Sequence, residues 1–83
     1  MNKLIYISAP WCGPCKMFGP VMAKIAESGI PVQKLDADKD QESVMKYGVR
    51  SIPTVVKVDD DGVVLGKFVG VKSQEEIKTF YHG

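Results

Sequence analysis

Cysteine and histidine are scarce in this chain, with two of the first and one of the second. That excludes a four-ligand zinc site built from cysteine and histidine alone, and it excludes a disulfide-rich scaffold, which needs several pairs. Neither sign of charge is in surplus. Eleven lysines and arginines against ten aspartates and glutamates leave a formal net charge of +1. No nucleic-acid or anionic-membrane partner is expected, since both are usually met by clustered positive charge. Long apolar runs are missing as well: no stretch approaches the ~18 residues of a membrane span. The segment Met1 to Ile7 holds one charged residue and four consecutive apolar ones, short of the roughly 7–15 apolar residues of a secretory leader. The default address is therefore cytoplasmic, where thiols are kept reduced. Repeats, linkers and low-complexity segments are absent too.

With 83 residues, the expectation is a single domain spanning 1–83, because a second core would need roughly another hundred residues. A chain of this size buries only about 60–65% of its unfolded surface, close to the limit for folding without a metal or disulfide framework. Its 45% hydrophobic content suffices for one regular core.

Leu4 to Ser8 is a short β-branched and aromatic run ended by Ala9-Pro10, which reads as a buried strand. From Cys12 the period changes: Met17, Phe18, Val21, Met22, Ile25 and Ala26 recur at helical spacing up to Ser28-Gly29, with a kink expected at Gly19-Pro20. Pro31 to Ala37 is a second strand, and Asp38 or Asp40 caps a short helix over Gln41 to Tyr47 that stops at Gly48. Thr54 to Val58 and Val63 to Val69 flank Asp59-Asp60-Asp61-Gly62, a hairpin signal whose carboxylates are turn residues rather than a cation site. Ser73 with Glu76 is a capping box opening a last helix with Ile77, Phe80 and Tyr81 on its apolar side. The order βαβαββα predicts an α/β fold, a four-stranded mixed sheet flanked by three helices, with helix-linked strands parallel and the hairpin antiparallel.

The chemistry lies in Trp11-Cys12-Gly13-Pro14-Cys15-Lys16, between the first strand and the helix it feeds. Two cysteines three apart at a helix start can reach disulfide distance, and unpaired backbone N–H groups there favour an anion on the first. Cys12 is thus the candidate thiolate, and Cys15 stands beside any mixed disulfide formed on it, at high effective concentration. Two other uses of the pair are weaker. A stabilising staple closing a loop of about four residues is worth only about 2 kcal/mol. A metal site would have to recruit His82 from the chain's end.

Ala9-Pro10-Trp11-Cys12-Gly13-Pro14-Cys15-Lys16, followed by Lys46-Tyr47-Gly48-Val49-Arg50-Ser51-Ile52-Pro53-Thr54 and Val69-Gly70-Val71, resembles the thioredoxin family over essentially the whole chain. The resemblance implies a thioredoxin fold and a protein-disulfide reductase without bound cofactor, in which an exposed Cys12 attacks and a more buried Cys15 resolves. It implies that Pro53 is a cis-proline facing the pair. It also implies that Trp11, Gly13, Pro14, Ile52, Val69 and Gly70 line the surface that receives disulfide-containing proteins; read alone, Ile52 and Val69 would be core residues and Gly70 a loop glycine. Electrons would come from a thioredoxin reductase or another donor, and the chain would act as a monomer. A thiol pKa near 7 is the thioredoxin family's own value; relative to about 8.5 it raises the thiolate fraction at pH 7 from about 3% to about 50%. Lower nucleophilicity takes back roughly 4- to 6-fold, leaving a gain of about 3- to 4-fold.

Two departures from the family stand out. The strand leading into the motif starts at about residue 3, without the usual preceding strand and helix, so the sequence resembles a shortened thioredoxin of glutaredoxin-like size. Six residues before the first cysteine, where the family commonly has a buried aspartate acting as proton acceptor, stands Tyr6, whose phenol has an ordinary pKa near 10 and is no base at neutral pH. Lys34 matches the position of that aspartate's lysine partner and otherwise reads as a solvated strand lysine. The alternatives are a glutaredoxin-like, glutathione-dependent reductant and a non-catalytic binding subunit of a larger assembly. Val71-Lys72 after Val69-Gly70 lacks the Gly-Gly and acidic pair frequent in glutathione-binding relatives.

Overall fold

The computed structural model describes residues 1–83. Its elements are β1 (Lys3–Ser8), α1 (Gly13–Glu27), β2 (Val32–Asp36), α2 (Gln41–Lys46), β3 (Thr54–Val58), β4 (Val64–Val69) and α3 (Gln74–His82). The strands form one sheet in the order β2-β1-β3-β4. β1 pairs parallel with β2, and β3 pairs antiparallel with both β1 and β4. The two central strands are the most continuously apolar segments because both of their faces are covered: every residue of β3, and all of β1 after Lys3, is buried. No helix is long and apolar enough to cross a membrane.

One face of the sheet packs Leu4, Tyr6, Val55 and Phe68 against Phe18, Met22 and Ile25 of α1 and Ile77 of α3. The other packs Ile5, Ile7, Val56 and Val58 under Val44 and Tyr47, in and just after α2. Phe18, Met22 and Ile25 set the buried stripe of α1 at i, i+4 and i+7. Met17, about 100° around the helix from Phe18, and Ala26 therefore face solvent, contrary to the sequence expectation; Met17 is 77% exposed. α1 runs through Pro20 without interruption.

Asp40 caps α2, its carboxylate accepting from the Ser43 N–H at 3.1 Å. In the hairpin the Asp59 carboxylate accepts from the N–H groups of Asp61 and Val63, each at 2.9 Å. Gly62 takes the left-handed turn conformation at φ 83°. Lys57 stands opposite Gly66 and Val58 opposite Val64, which leaves Leu65 as the extra residue of a β-bulge. Ser73 and Glu76 form both halves of the expected capping box.

Candidate active site

β1 delivers the chain to the end of the sheet, and Ala9 turns it, its carbonyl accepting from the Cys12 N–H at 3.1 Å. Cys12 is the N-cap of α1, Gly13 opens the helix, and Pro14 occupies a first-turn position where a missing N–H costs nothing. The Cys15 N–H donates to Cys12 Sγ at 3.2 Å. That is the geometry of a capping anion, with the sulfur in the place a serine or aspartate oxygen usually takes. Cys12 and Cys15 are joined as a disulfide, their Cα atoms 5.2 Å apart.

Ile52-Pro53 is a cis peptide, as the resemblance implies. Ile52 packs against Ala9, Cys12 and Cys15, and its carbonyl oxygen lies 3.8 Å from Cys12 Sγ. No loop hydrogen bond uses the Ile52 N–H. Gly70, at φ 96°, donates its N–H to the Pro53 carbonyl at 2.9 Å, and Val69 stands opposite Thr54 in the sheet.

A groove of about 500 Å³ runs beside the pair, lined by Trp11, Cys12, Gly13, Pro14 and Ile52 together with Ala37, Val44, Val49, Arg50 and Ser51. Five of the residues singled out from the sequence thus meet in one concavity. Pro53 is buried, and neither it nor Val69 nor Gly70 lines the groove. Trp11 is 68% exposed, yet its position is fixed: the indole Nε1 donates to Asp38 Oδ2 at 2.8 Å. The Asp38 N–H in turn donates to Asp36 Oδ1 at 2.8 Å. Asp38 and Arg50 escaped the sequence reading. Asp38 read only as a possible helix cap, and an arginine just before Ser-Ile-Pro carries no periodic signal.

The resemblance implies an exposed Cys12 and a more buried Cys15. In the oxidised pair the two are equally buried, at 5% and 6% exposure, because the disulfide ties both sulfurs together under Ile52. The surroundings distinguish them. Cys12 borders the apolar groove, whereas Cys15 borders a second cavity, about 330 Å³, with Tyr6, Ser8, Lys16, Lys34 and Asp36. Tyr6 and Lys34 are neighbours across β1 and β2. The Tyr6 hydroxyl donates to the Cys15 carbonyl oxygen at 3.2 Å. Burial pushes the Tyr6 phenol above 10, opposed in part by a hydrogen bond with Ser8. Lys34 is exposed on its strand.

The thioredoxin family model matches residues 1–82. Thioredoxin of Bacillus subtilis (strain 168) is 47% identical over 73 residues, covering 84% of this chain and 69% of that protein. Thioredoxin of Pseudomonas aeruginosa is 41% identical over 75 residues, covering 87% of this chain and 68% of that protein. A mutant thioredoxin from Halobacterium salinarum NRC-1 superposes with a TM-score of 0.89 at 35% identity, over 98% of this chain and 72% of that one. The chain belongs to the thioredoxin family. Its fold is the thioredoxin fold, and its chemistry is thiol–disulfide oxidoreduction of protein substrates, for which Cys12 and Cys15 form the redox-active pair. The thioredoxin relatives favour this activity over a glutathione-dependent reductant and over a non-catalytic subunit.

Proposed function

We propose that this chain is a single thioredoxin domain that reduces disulfides of other proteins, with Cys12 as nucleophile and Cys15 as resolving thiol. The observation that carries the reading is the placement of Cys12 Sγ: it accepts the Cys15 N–H at a helix start while bordering the apolar groove. The backbone N–H and the helix dipole favour the thiolate over the thiol. Trp11, Gly13, Pro14 and Ile52 receive the substrate segment, and the free Ile52 N–H offers it a strand-like hydrogen bond, with Pro53, Val69 and Gly70 shaping that edge.

The Cys12 thiolate attacks one sulfur of the substrate disulfide. A Cys12–substrate bond forms, the substrate S–S bond breaks, and the released thiolate takes a proton from solvent. Cys15 then loses its proton and attacks Cys12 Sγ. The intramolecular disulfide forms, the mixed disulfide breaks, and the substrate leaves as a dithiol, two electrons richer. The second step is intramolecular, which supplies the larger part of its rate through proximity. The pair itself carries both electrons, so the cycle invokes no bound cofactor, and a thioredoxin reductase or another donor returns the pair to the dithiol. The reading places the chain in the cytoplasm as a monomer, without nucleic-acid or membrane partners. A Cα radius of gyration of 11.6 Å, against about 12 Å for a compact chain of this length, supports one folded unit.

The test is insulin reduction by catalytic amounts of the chain. Turnover is expected with NADPH and thioredoxin reductase. Turnover only with glutathione and glutathione reductase would contradict the reading in favour of a glutaredoxin-like role.

A further inference from the structure

The groove beside Cys12 carries one charged side chain, Arg50. It is exposed, and no side-chain hydrogen bond or ion pair within the chain engages it; the ion pairs present are Met1 with Asp60 and Lys72 with Glu76. Asp38, whose carboxylate accepts the Trp11 indole, does not line the groove and forms no ion pair with Arg50. The remaining lining is apolar or small, so the concavity offers an approaching peptide a hydrophobic floor and a single unpaired guanidinium.

We infer that Arg50 gives this thioredoxin a preference for substrate disulfides whose reactive cysteine is flanked by Asp or Glu. The inference rests on the reductase reading above and names the class of substrate that the same groove takes. A target cysteine joined to Cys12 lies beside Ile52, whose carbonyl is 3.8 Å from Cys12 Sγ. Arg50 precedes Ile52 by two residues and lines the same groove. A substrate segment extended alongside Ile52 puts residues about two positions from its cysteine within reach of Arg50, because cross-strand neighbours sit about 5 Å apart at Cβ and alternate residues share a face. An arginine fork suits a carboxylate, with two parallel charge-assisted hydrogen bonds in a fixed plane. It repels a lysine in the same place. Apolar walls strengthen the field at the groove mouth relative to open solvent. The pair stays solvent-accessible, so the preference is one of degree, about two- to fivefold per opposite charge at low salt.

The experiment compares two cystine-bridged peptides, identical except for Glu or Lys two residues from the target cysteine on either side. Each kcat/KM is divided by that peptide's rate with dithiothreitol, which removes the effect of the charge on the disulfide itself. For the native chain the Glu peptide is expected to be favoured, with the ratio shrinking towards one in about 1 M salt, where the Debye length is about 3 Å. Arg50→Gln should bring the ratio near one, Arg50→Glu should invert it, and Arg50→Lys should keep part of it. These are ratios, so the amount of active protein cancels. A ratio of one in the native chain, or an unchanged ratio in Arg50→Gln, overturns the inference while leaving the reductase reading intact. Failure to reduce either peptide overturns the reductase reading, and the inference with it.

Discussion

Tyr6 grips Cys15 by its backbone and not by its thiol. Its hydroxyl donates to the Cys15 carbonyl, and its ring meets Phe18 edge-on at 5.6 Å. Burial keeps the phenol protonated, so the residue is a packing and positioning group with no capacity to take the Cys15 proton at neutral pH. Tyr6→Phe should cost about 1 kcal/mol, the usual net worth of one hydrogen bond, and leave insulin turnover near the native rate. Tyr6→Asp should also lower stability, by burying a carboxylate, but should raise turnover above neutral pH by supplying a base beside Cys15. Denaturant titration and turnover against pH read both effects. A Tyr6→Asp chain neither faster nor less stable than the native one would contradict this account.

At the scale of elements, the end of α3 is held by a lysine from the sheet. Lys57, the fourth of the five residues of β3, is buried at 7% exposure. Its Nζ donates to the carbonyls of Phe80 at 3.2 Å and Gly83 at 2.8 Å, partners for carbonyls that the helix terminus leaves free. A cation there also opposes the negative end of the helix dipole. Lys57→Met, which keeps the length of the side chain, should lower stability by about 1–2 kcal/mol through the loss of the charged bonds, as a fall in denaturation midpoint with unchanged turnover. The opposite strand leaves room for this arrangement at Gly66, where a Cβ would approach Phe80 Cε1 to 3.1 Å.

These contacts mark where sequence reasoning stopped. The order of elements was readable because each has a local signature: Asp40 and the Ser73–Glu76 box open helices, and the Asp-Gly step closes the hairpin. The redox centre was readable for the same reason, since Cys12 and Cys15 sit within one helical turn. Lys57 on α3, Asp38 on Trp11 and Arg50 in the groove join residues distant in the chain, and only the packed sheet brings them together. Met17 was misplaced because two overlapping helical stripes, offset by about 100°, were read as one. The contrast in burial between the cysteines that the resemblance implies is absent from the structure because the disulfide holds both sulfurs under Ile52.

At the scale of the molecule, stability should fall at both extremes of pH, for separate reasons. The Glu76 carboxylate is held below its ordinary 4.5 by hydrogen bonds with the Ser73 backbone and side chain, with Lys72 adding a smaller attraction. A lowered folded value means that its contribution is present above about 4.5 and is lost as pH falls through the folded value. Tyr6 has a raised folded value, so its contribution is complete below about 10 and is lost as pH rises through that value. Urea midpoints followed across pH should show both declines, with Tyr6→Phe removing part of the alkaline one and Glu76→Gln part of the acid one. A chain of this size has little stability to spare, which makes small changes of this kind measurable.

The division of labour between the two cysteines is the centre of the account, and trapping the mixed disulfide tests it most directly. Reduced Cys15→Ser and reduced Cys12→Ser are each incubated with a disulfide-bonded protein such as insulin, and covalent adducts are read by mass spectrometry. Cys15→Ser should accumulate a substrate adduct on Cys12 that dithiothreitol releases, because the attack proceeds and the resolving thiol is gone. Cys12→Ser should form none. An adduct on Cys15 in the Cys12→Ser chain, in comparable yield, would contradict the assignment of attack to Cys12 and of resolution to Cys15.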